Sequence, residues 1–180
     1  MAARRREVGE RAAGAAGAAL AAGLAASREL RRSRRIALYA AAGGELPTSA
    51  LEHAARELGL VVLWPRVVGR SLEFAACAGS DLVPGPFGIG APPRSRSAEA
   101  LGAGDLVVLP ALALDSAGRR LGRGGGHYDR AFAAAPAEAP FLVGVGYDFQ
   151  LVDEVPAGVG DGRVDMVATE ARLIRTRARA

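Results

Sequence analysis

No lysine occurs in this 180-residue chain, so all 23 basic residues are arginine. Together with 24 glycines and a heavy alanine load, that uniformity follows GC-rich codon usage more than selection for phosphate-binding forks. Aromatic residues make up only 5% and do not interleave with the arginine-rich stretches, as a stacking surface for nucleic acid requires. The positive charge is also local, because residues 1–35 hold nine arginines against three glutamates, net +6, and the remainder is net −2. Nucleic acid is therefore not an expected partner. Cysteine is nearly missing too. Cys77 has no second cysteine to pair with, which excludes an internal disulfide framework and a cysteine zinc site and makes the cytoplasm the expected compartment. No run of about 18 strong hydrophobes is present to span a bilayer. The Ala/Gly-rich stretch after the basic opening carries only Leu20 and Leu24 as large apolar groups, a poor signal-peptide core.

What remains is a chain long enough for one buried core, read as a single domain over residues 1–180. Residues 7–30 have helix-forming composition, interrupted by Gly14, Gly17 and Gly23. A buried strand is predicted over 36–40 and a turn at Gly43 and Gly44. An amphipathic helix follows, capped by Thr48 or Ser49, with Leu51, Ala54, Ala55 and Leu58 on its apolar face. Gly59 closes it, and the unbroken hydrophobic run 60–64 predicts a second strand, completing a βαβ unit. Strands are also predicted over 71–77, 106–110 and 141–145, and a helix over 126–134. The span 83–96 is a loop, because Pro84, Pro86, Pro92 and Pro93 do not suit a central strand. This alternation predicts an α/β fold: a mostly parallel sheet with helices on both faces and a site at the carboxyl ends of its strands.

The chemistry concentrates between Gly118 and Asp129, where glycines stand at 122, 124, 125 and 126 after a strand and before a helix. Closely spaced glycines let backbone N–H groups face an anion, and Arg120 and Arg123 add forks suited to phosphate oxygens. The pattern is neither a P-loop nor a dinucleotide fingerprint. The plain alternative is a flexible glycine turn with solvated arginines. Asp129 is placed to hold Mg²⁺ beside phosphates, and Asp161, in a Gly/Asp loop, is the first candidate for a second carboxylate, with Asp165 next. Glu45 lies just past the first strand. His53 is a surface residue by its setting. His127 lies inside the glycine loop without a Ser or Cys partner, which argues against an acyl-enzyme mechanism.

These residues resemble the 5-formyltetrahydrofolate cyclo-ligases, also called methenyltetrahydrofolate synthetases. The shared stretch runs through Pro110, Asp115, Gly118, Arg120, Leu121, Gly122, Gly124, Gly125, Gly126, Tyr128 and Asp129. Further agreement in order comes from Tyr39, Glu45, Thr48, Pro65, Phe87, Gly88, Ile89, Gln150, Val155, Pro156, Asp161, Val164, Asp165, Thr169 and Glu170, over residues 30–170. The resemblance implies ATP and Mg²⁺ as cofactors, a fold related to the sugar-phosphate isomerase and coenzyme A transferase group, and conversion of 5-formyltetrahydrofolate to 5,10-methenyltetrahydrofolate. It implies nucleotide contacts at Arg120, Leu121, Gly122, Arg123, Gly124, Gly125, Gly126, His127 and Tyr128. Folate contacts fall on Ala40, Glu45, Arg123, Gly124, Gly125, Gly126 and His127, and metal ligands on Asp129 and Asp161. Arg123 and Tyr128 are the expected catalytic groups. The expected partner is the folate alone, with or without a polyglutamate tail, acted on by a monomer.

Four departures accompany the match. A basic pair that usually opens the family's N-terminal helix and reaches the nucleotide has only Arg4, Arg5 and Arg6 as stand-ins, since this chain begins late. His127 replaces a usual Tyr, Ala91 a usual Glu, and Gly160 a frequent His or Asn. Two other readings stay open: a relative that keeps nucleotide binding with an altered folate reaction, and a basic RNA-associated module.

Overall fold

The computed structural model describes residues 1–132, 138–156 and 162–176. Seven strands form the central sheet: β1 Arg35–Ala37, β2 Val61–Val68, β3 Ser71–Ala76, β4 Asp105–Pro110, β5 Phe141–Val145, β6 Met166–Ala168 and β7 Leu173–Arg175. Their order is β7-β6-β5-β4-β1-β2-β3, parallel throughout the centre, with antiparallel pairs β2/β3 and β6/β7 at the edges. The mostly parallel α/β expectation holds.

The helices are α1 Ala2–Arg6, α2 Glu10–Ala26, α3 Arg28–Arg32, α4 Ser49–Glu57 and α5 His127–Phe132. The single helix expected over 7–30 is broken at Ser27, whose Oγ accepts the Leu30 N–H at 3.3 Å and so caps α3. One sheet face is covered by α2, α3 and α4. Leu20, Leu24, Leu30, Leu51 and Ala55 pack there against Ile36, Val62, Leu106, Val108, Val143 and Met166. Alternate residues of the same strands, Ala37, Leu63, Val107, Leu142 and Val167, face the other way, as a strand period of two requires. Helices thus lie on both faces, as expected, but the second face carries only one among the described residues. The six-residue α5 reaches it with Tyr128 and Phe132, and Ala111, Leu114, Leu151 and Val164 from non-helical segments cover the rest. The helix expected over 126–134 begins at His127, after the glycines, and residues 133 and 134 lie outside the described residues.

Other boundaries shift for local reasons. The β1 ladder continues one step, with Leu38 N–H donating to Leu63 O at 2.9 Å. The chain then peels away, because the Thr48 hydroxyl donates to Tyr39 O at 2.8 Å and the Tyr39 hydroxyl to Leu46 O at 2.7 Å. Thr48 precedes α4 as expected, but its side chain serves this tie and not the helix end. Leu58 falls outside the core because α4 stops at Glu57, and Gly59, at φ +77°, turns the chain. β2 outruns the predicted 60–64. Its pairing with β1 ends at Leu63, so the missing N–H of Pro65 falls on the side already free of a neighbour, and β3 alone pairs with the extension. The 83–96 span is loop apart from a minimal pairing of Val83–Pro84 with Gly90–Ala91. Among the described residues no helix is long and apolar enough to cross a membrane.

Leu106 is fully buried in β4, the strand at the middle of the sheet. Leu106→Ala is expected to lower the unfolding free energy by about 2–5 kcal/mol, measured by urea denaturation.

Candidate active site

A cavity of about 670 Å³ opens at the carboxyl ends of β1, β2 and β4, the place expected for a parallel sheet. Tyr39, Ala40, Pro65, Arg66, Pro110 and Ala111 form its base, the glycine loop forms one wall, and Pro86, Phe87 and Ile89 form another. Phe87 is 89% exposed at the tip of its turn and holds φ +61°. A non-glycine residue in that region is uncommon and marks a turn worth functional attention.

The glycine-loop wall is held by Asp115. This fully buried carboxylate accepts the N–H groups of Ala117 and Arg119 at 3.0 Å each and of Val155 at 2.9 Å, and pairs with the Arg119 guanidinium. Burial alone pushes its pKa up. The N–H groups of Val155 and Arg119 and the Arg119 side chain outweigh that and hold it below the ordinary aspartate value. Residues Ala113–Leu114 and Arg120–Leu121 then pair, and the chain enters the glycines, where Gly124 and Gly126 adopt φ +86° and +60°. Side chains rarely adopt that backbone, so glycine is required for this path into α5.

Charges meet inside the cavity. Glu45, 8% exposed, accepts the Ala42 N–H at 3.0 Å through Oε2. Its Oε1 lies 3.0 Å from Arg123 Nη2 and 3.9 Å from Arg5 Nη1. Desolvation raises the Glu45 pKa, while the Ala42 N–H, Arg123 and Arg5 pull the other way, leaving it above the ordinary glutamate value. Arg120 pairs with Asp129 at 2.5 Å, and its Nε is buried without a hydrogen-bond partner among the described residues. Its guanidinium also stands 6.0 Å from the Tyr128 ring centre. Burial, and then Glu45, push the Tyr128 phenol well above its ordinary pKa, so it stays protonated and can donate.

Ala40, Glu45 and every residue from Arg120 to Asp129 line this one cavity. Arg4 and Arg5 do not. Arg4 stacks over the Phe149 ring at 4.4 Å from its centre. Arg5, 3% exposed, is turned inward, where it donates to Ala111 O at 3.2 Å and Gly43 O at 3.3 Å. Asp161 and Gly160 lie outside the described residues. Asp165, the reserve acid, is occupied elsewhere, with Oδ2 accepting the Leu142 N–H at 2.7 Å. His53 is at the surface, 3.3 Å from Glu57, and Ala91 lines the cavity where a carboxylate was usual. Among the described residues no group of three or more His, Cys, Asp or Glu is arranged around a metal position. Arg66 is a cavity residue that sequence reasoning missed. It is the cross-strand partner of Glu73, which it meets at 2.7 Å, and it donates to Pro93 O and Arg96 O, fastening the 83–96 loop to the sheet. A pairing of Arg66 and Glu73 across the β2/β3 hairpin was the available signal.

Asp115→Asn should cost about 3 kcal/mol, as for breaking a buried charge pair. Because the folded-state pKa is depressed, the stabilisation is present above about pH 4 and fades as pH falls through the folded value. Wild type and variant should therefore converge in acid, which urea melts across pH will measure.

Comparison with known proteins places these features in a family. A profile of the 5-formyltetrahydrofolate cyclo-ligase family matches residues 1–170. A 5-formyltetrahydrofolate cyclo-ligase of Mycolicibacterium smegmatis is 37% identical over 150 residues, covering 78% of this chain and 76% of that protein. The protein of the same name from Escherichia coli K12 is 31% identical over 143 residues, covering 77% and 79%. Among solved structures, 5,10-methenyltetrahydrofolate synthetase from Aquifex aeolicus is similar with a TM-score of 0.82 at 26% identity, covering 99% of this chain and 90% of that one.

Proposed function

Because the chain belongs to the 5-formyltetrahydrofolate cyclo-ligase family, we propose that it converts 5-formyltetrahydrofolate to 5,10-methenyltetrahydrofolate while ATP becomes ADP and phosphate. The observation that carries this reading is one cavity that brings Ala40 and Glu45 from the β1 side together with Arg120 to Asp129 from the glycine loop. Two ligands that must react need such a shared space.

The formyl oxygen attacks the γ-phosphorus, ADP leaves, and the phosphorylated N5 intermediate is closed by attack of N10 at the former formyl carbon. That oxygen departs as part of the phosphate, and the N10 proton is released as the methenyl bridge forms. No covalent enzyme nucleophile is needed, and the protein contributes position and charge neutralisation. Arg123 spans the two sides and faces the transferring phosphoryl group. Tyr128, held neutral, donates a hydrogen bond toward developing negative charge. Arg120 holds Asp129 at the rim, and Asp129, with Asp161 as the second carboxylate, would hold Mg²⁺. A single carboxylate among the described residues fits an ion that takes its remaining oxygens from phosphate and water. Held there, the ion would supply neutralisation of phosphate charge. The same reading carries the finer expectations: a fold of the sugar-phosphate isomerase and coenzyme A transferase group, a folate that can bear polyglutamate, and a monomer working in the cytoplasm.

Purified protein with 5-formyltetrahydrofolate, ATP and Mg²⁺ is expected to develop the methenyl chromophore. Its absence beside a working control enzyme would contradict the proposal and favour a relative with altered folate chemistry. Arg123→Ala should reduce kcat/KM by roughly 10²- to 10³-fold in steady-state assays, the scale of losing one preorganised donor. Asp129→Ala should abolish metal-dependent turnover, and because it strips the buried Arg120 of its ion-pair partner it should also lower the urea midpoint, so turnover is compared below the variant's unfolding range.

A further inference from the structure

Arg123 stands on a segment that has little means of orienting it. Its neighbours at 122, 124, 125 and 126 are glycines, and its side chain is 43% exposed. What holds the guanidinium lies across the cavity, where Nη2 meets Glu45 Oε1 at 3.0 Å and donates to Ala42 O. These contacts engage one terminal nitrogen of a five-donor fork, and the rest of the fork can meet phosphate oxygens. Glu45 is therefore in a position to aim Arg123 without competing for its phosphate-binding edge.

Glu45 is itself held from behind. Oε2 takes the Ala42 N–H, and Oε1 faces Arg5 as well as Arg123. Arg5 is the rigid member of the set. It is anchored on Ala111 O and Gly43 O, and the backbone of its own segment is pressed against Gly44, where a Cβ would lie 2.7 Å from Arg5 O. Gly44 also holds φ +75°, so this packing depends on glycine. The Arg5 Nε is buried without a hydrogen-bond partner among the described residues, and burial lowers the Arg5 pKa. At that desolvation cost a buried guanidinium need not add net stability.

We infer that Arg5 is a positioning residue for Arg123: acting through Glu45, the N-terminal segment sets where the glycine-loop guanidinium stands when it meets a polyphosphate, and Arg5 does not touch the nucleotide. The inference rests on the proposed use of this cavity for ATP. It differs from the sequence expectation that Arg4 and Arg5 contact the nucleotide directly.

A double-mutant cycle separates the two roles, read as the dissociation constant of the β,γ-imido analogue of ATP with Mg²⁺. Arg5→Met is expected to weaken binding roughly tenfold in the wild-type background and less than about twofold in Arg123→Ala, because residues in one ion-pair chain are not additive. Glu45→Gln should show the same loss and the same masking. Equal losses from Arg5→Met in both backgrounds, or none in either, would overturn the positioning role. Arg5→Lys keeps the buried charge and gives a second measure if Arg5→Met unfolds below the assay temperature. It should show a smaller loss that is again masked by Arg123→Ala, and an unmasked loss would count against the role. Failure of the wild-type protein to bind the analogue would instead sink the ATP reading and the inference with it.

Discussion

Glu45 is a carboxylate removed from water at the point where three separate pieces of chain meet. Burial raises its pKa, so its charge depends on the Ala42 N–H and on the guanidinium groups of Arg123 and Arg5. Each of these partners brings a different part of the molecule with it: the loop after β1, the glycine loop after β4, and the N-terminal segment. Losing one partner would leave a buried charge undercompensated, and that is a larger penalty than a surface ion pair ever contributes. The cavity wall is held in its present shape by this constraint.

The sheet explains why those pieces arrive together. β1, β2 and β4 are neighbours and run parallel, so the loops that follow them open on the same side. The connection after β4 is braced by Asp115, which stops the glycine-rich segment from drifting before it reaches α5. Arg66 braces the opposite side by fastening the 83–96 loop through Glu73, Pro93 and Arg96. Rigid braces thus surround a segment that has little rigidity of its own, an arrangement suited to phosphoryl transfer, where position and charge do the chemistry.

The central strands were legible because unbroken hydrophobic runs such as 106–109 and 141–143, short and flanked by glycine or proline, suit a strand buried on both faces. The glycine loop was legible because few backbones need that many glycines so close together. Other features depend on tertiary contacts. Ser27 looks like an ordinary polar residue in an alanine-rich stretch until the chain turns there and its Oγ is needed as a cap. β2 reads as ended at Trp64 because Pro65 is acceptable only where one neighbour strand has already stopped. Arg5 reads as one of three consecutive arginines, and nothing local distinguishes the one that is buried. Its role comes from Glu45, forty residues on. The covering of the second sheet face by loops was hidden for the same reason, since non-helical segments such as 111–114 show no period that announces burial.

In the proposed reaction the glycine loop and Arg123, held from Glu45, receive the nucleotide's phosphates in the same cavity that takes the folate. An experimental structure with the β,γ-imido analogue of ATP, Mg²⁺ and 5-formyltetrahydrofolate tests it most directly. Phosphate oxygens are expected within hydrogen-bond distance of residues 122–126 and the Arg123 guanidinium, with Arg5 still seated on Ala111 and facing Glu45. Phosphates bound away from that loop, or held directly by Arg5, would contradict it.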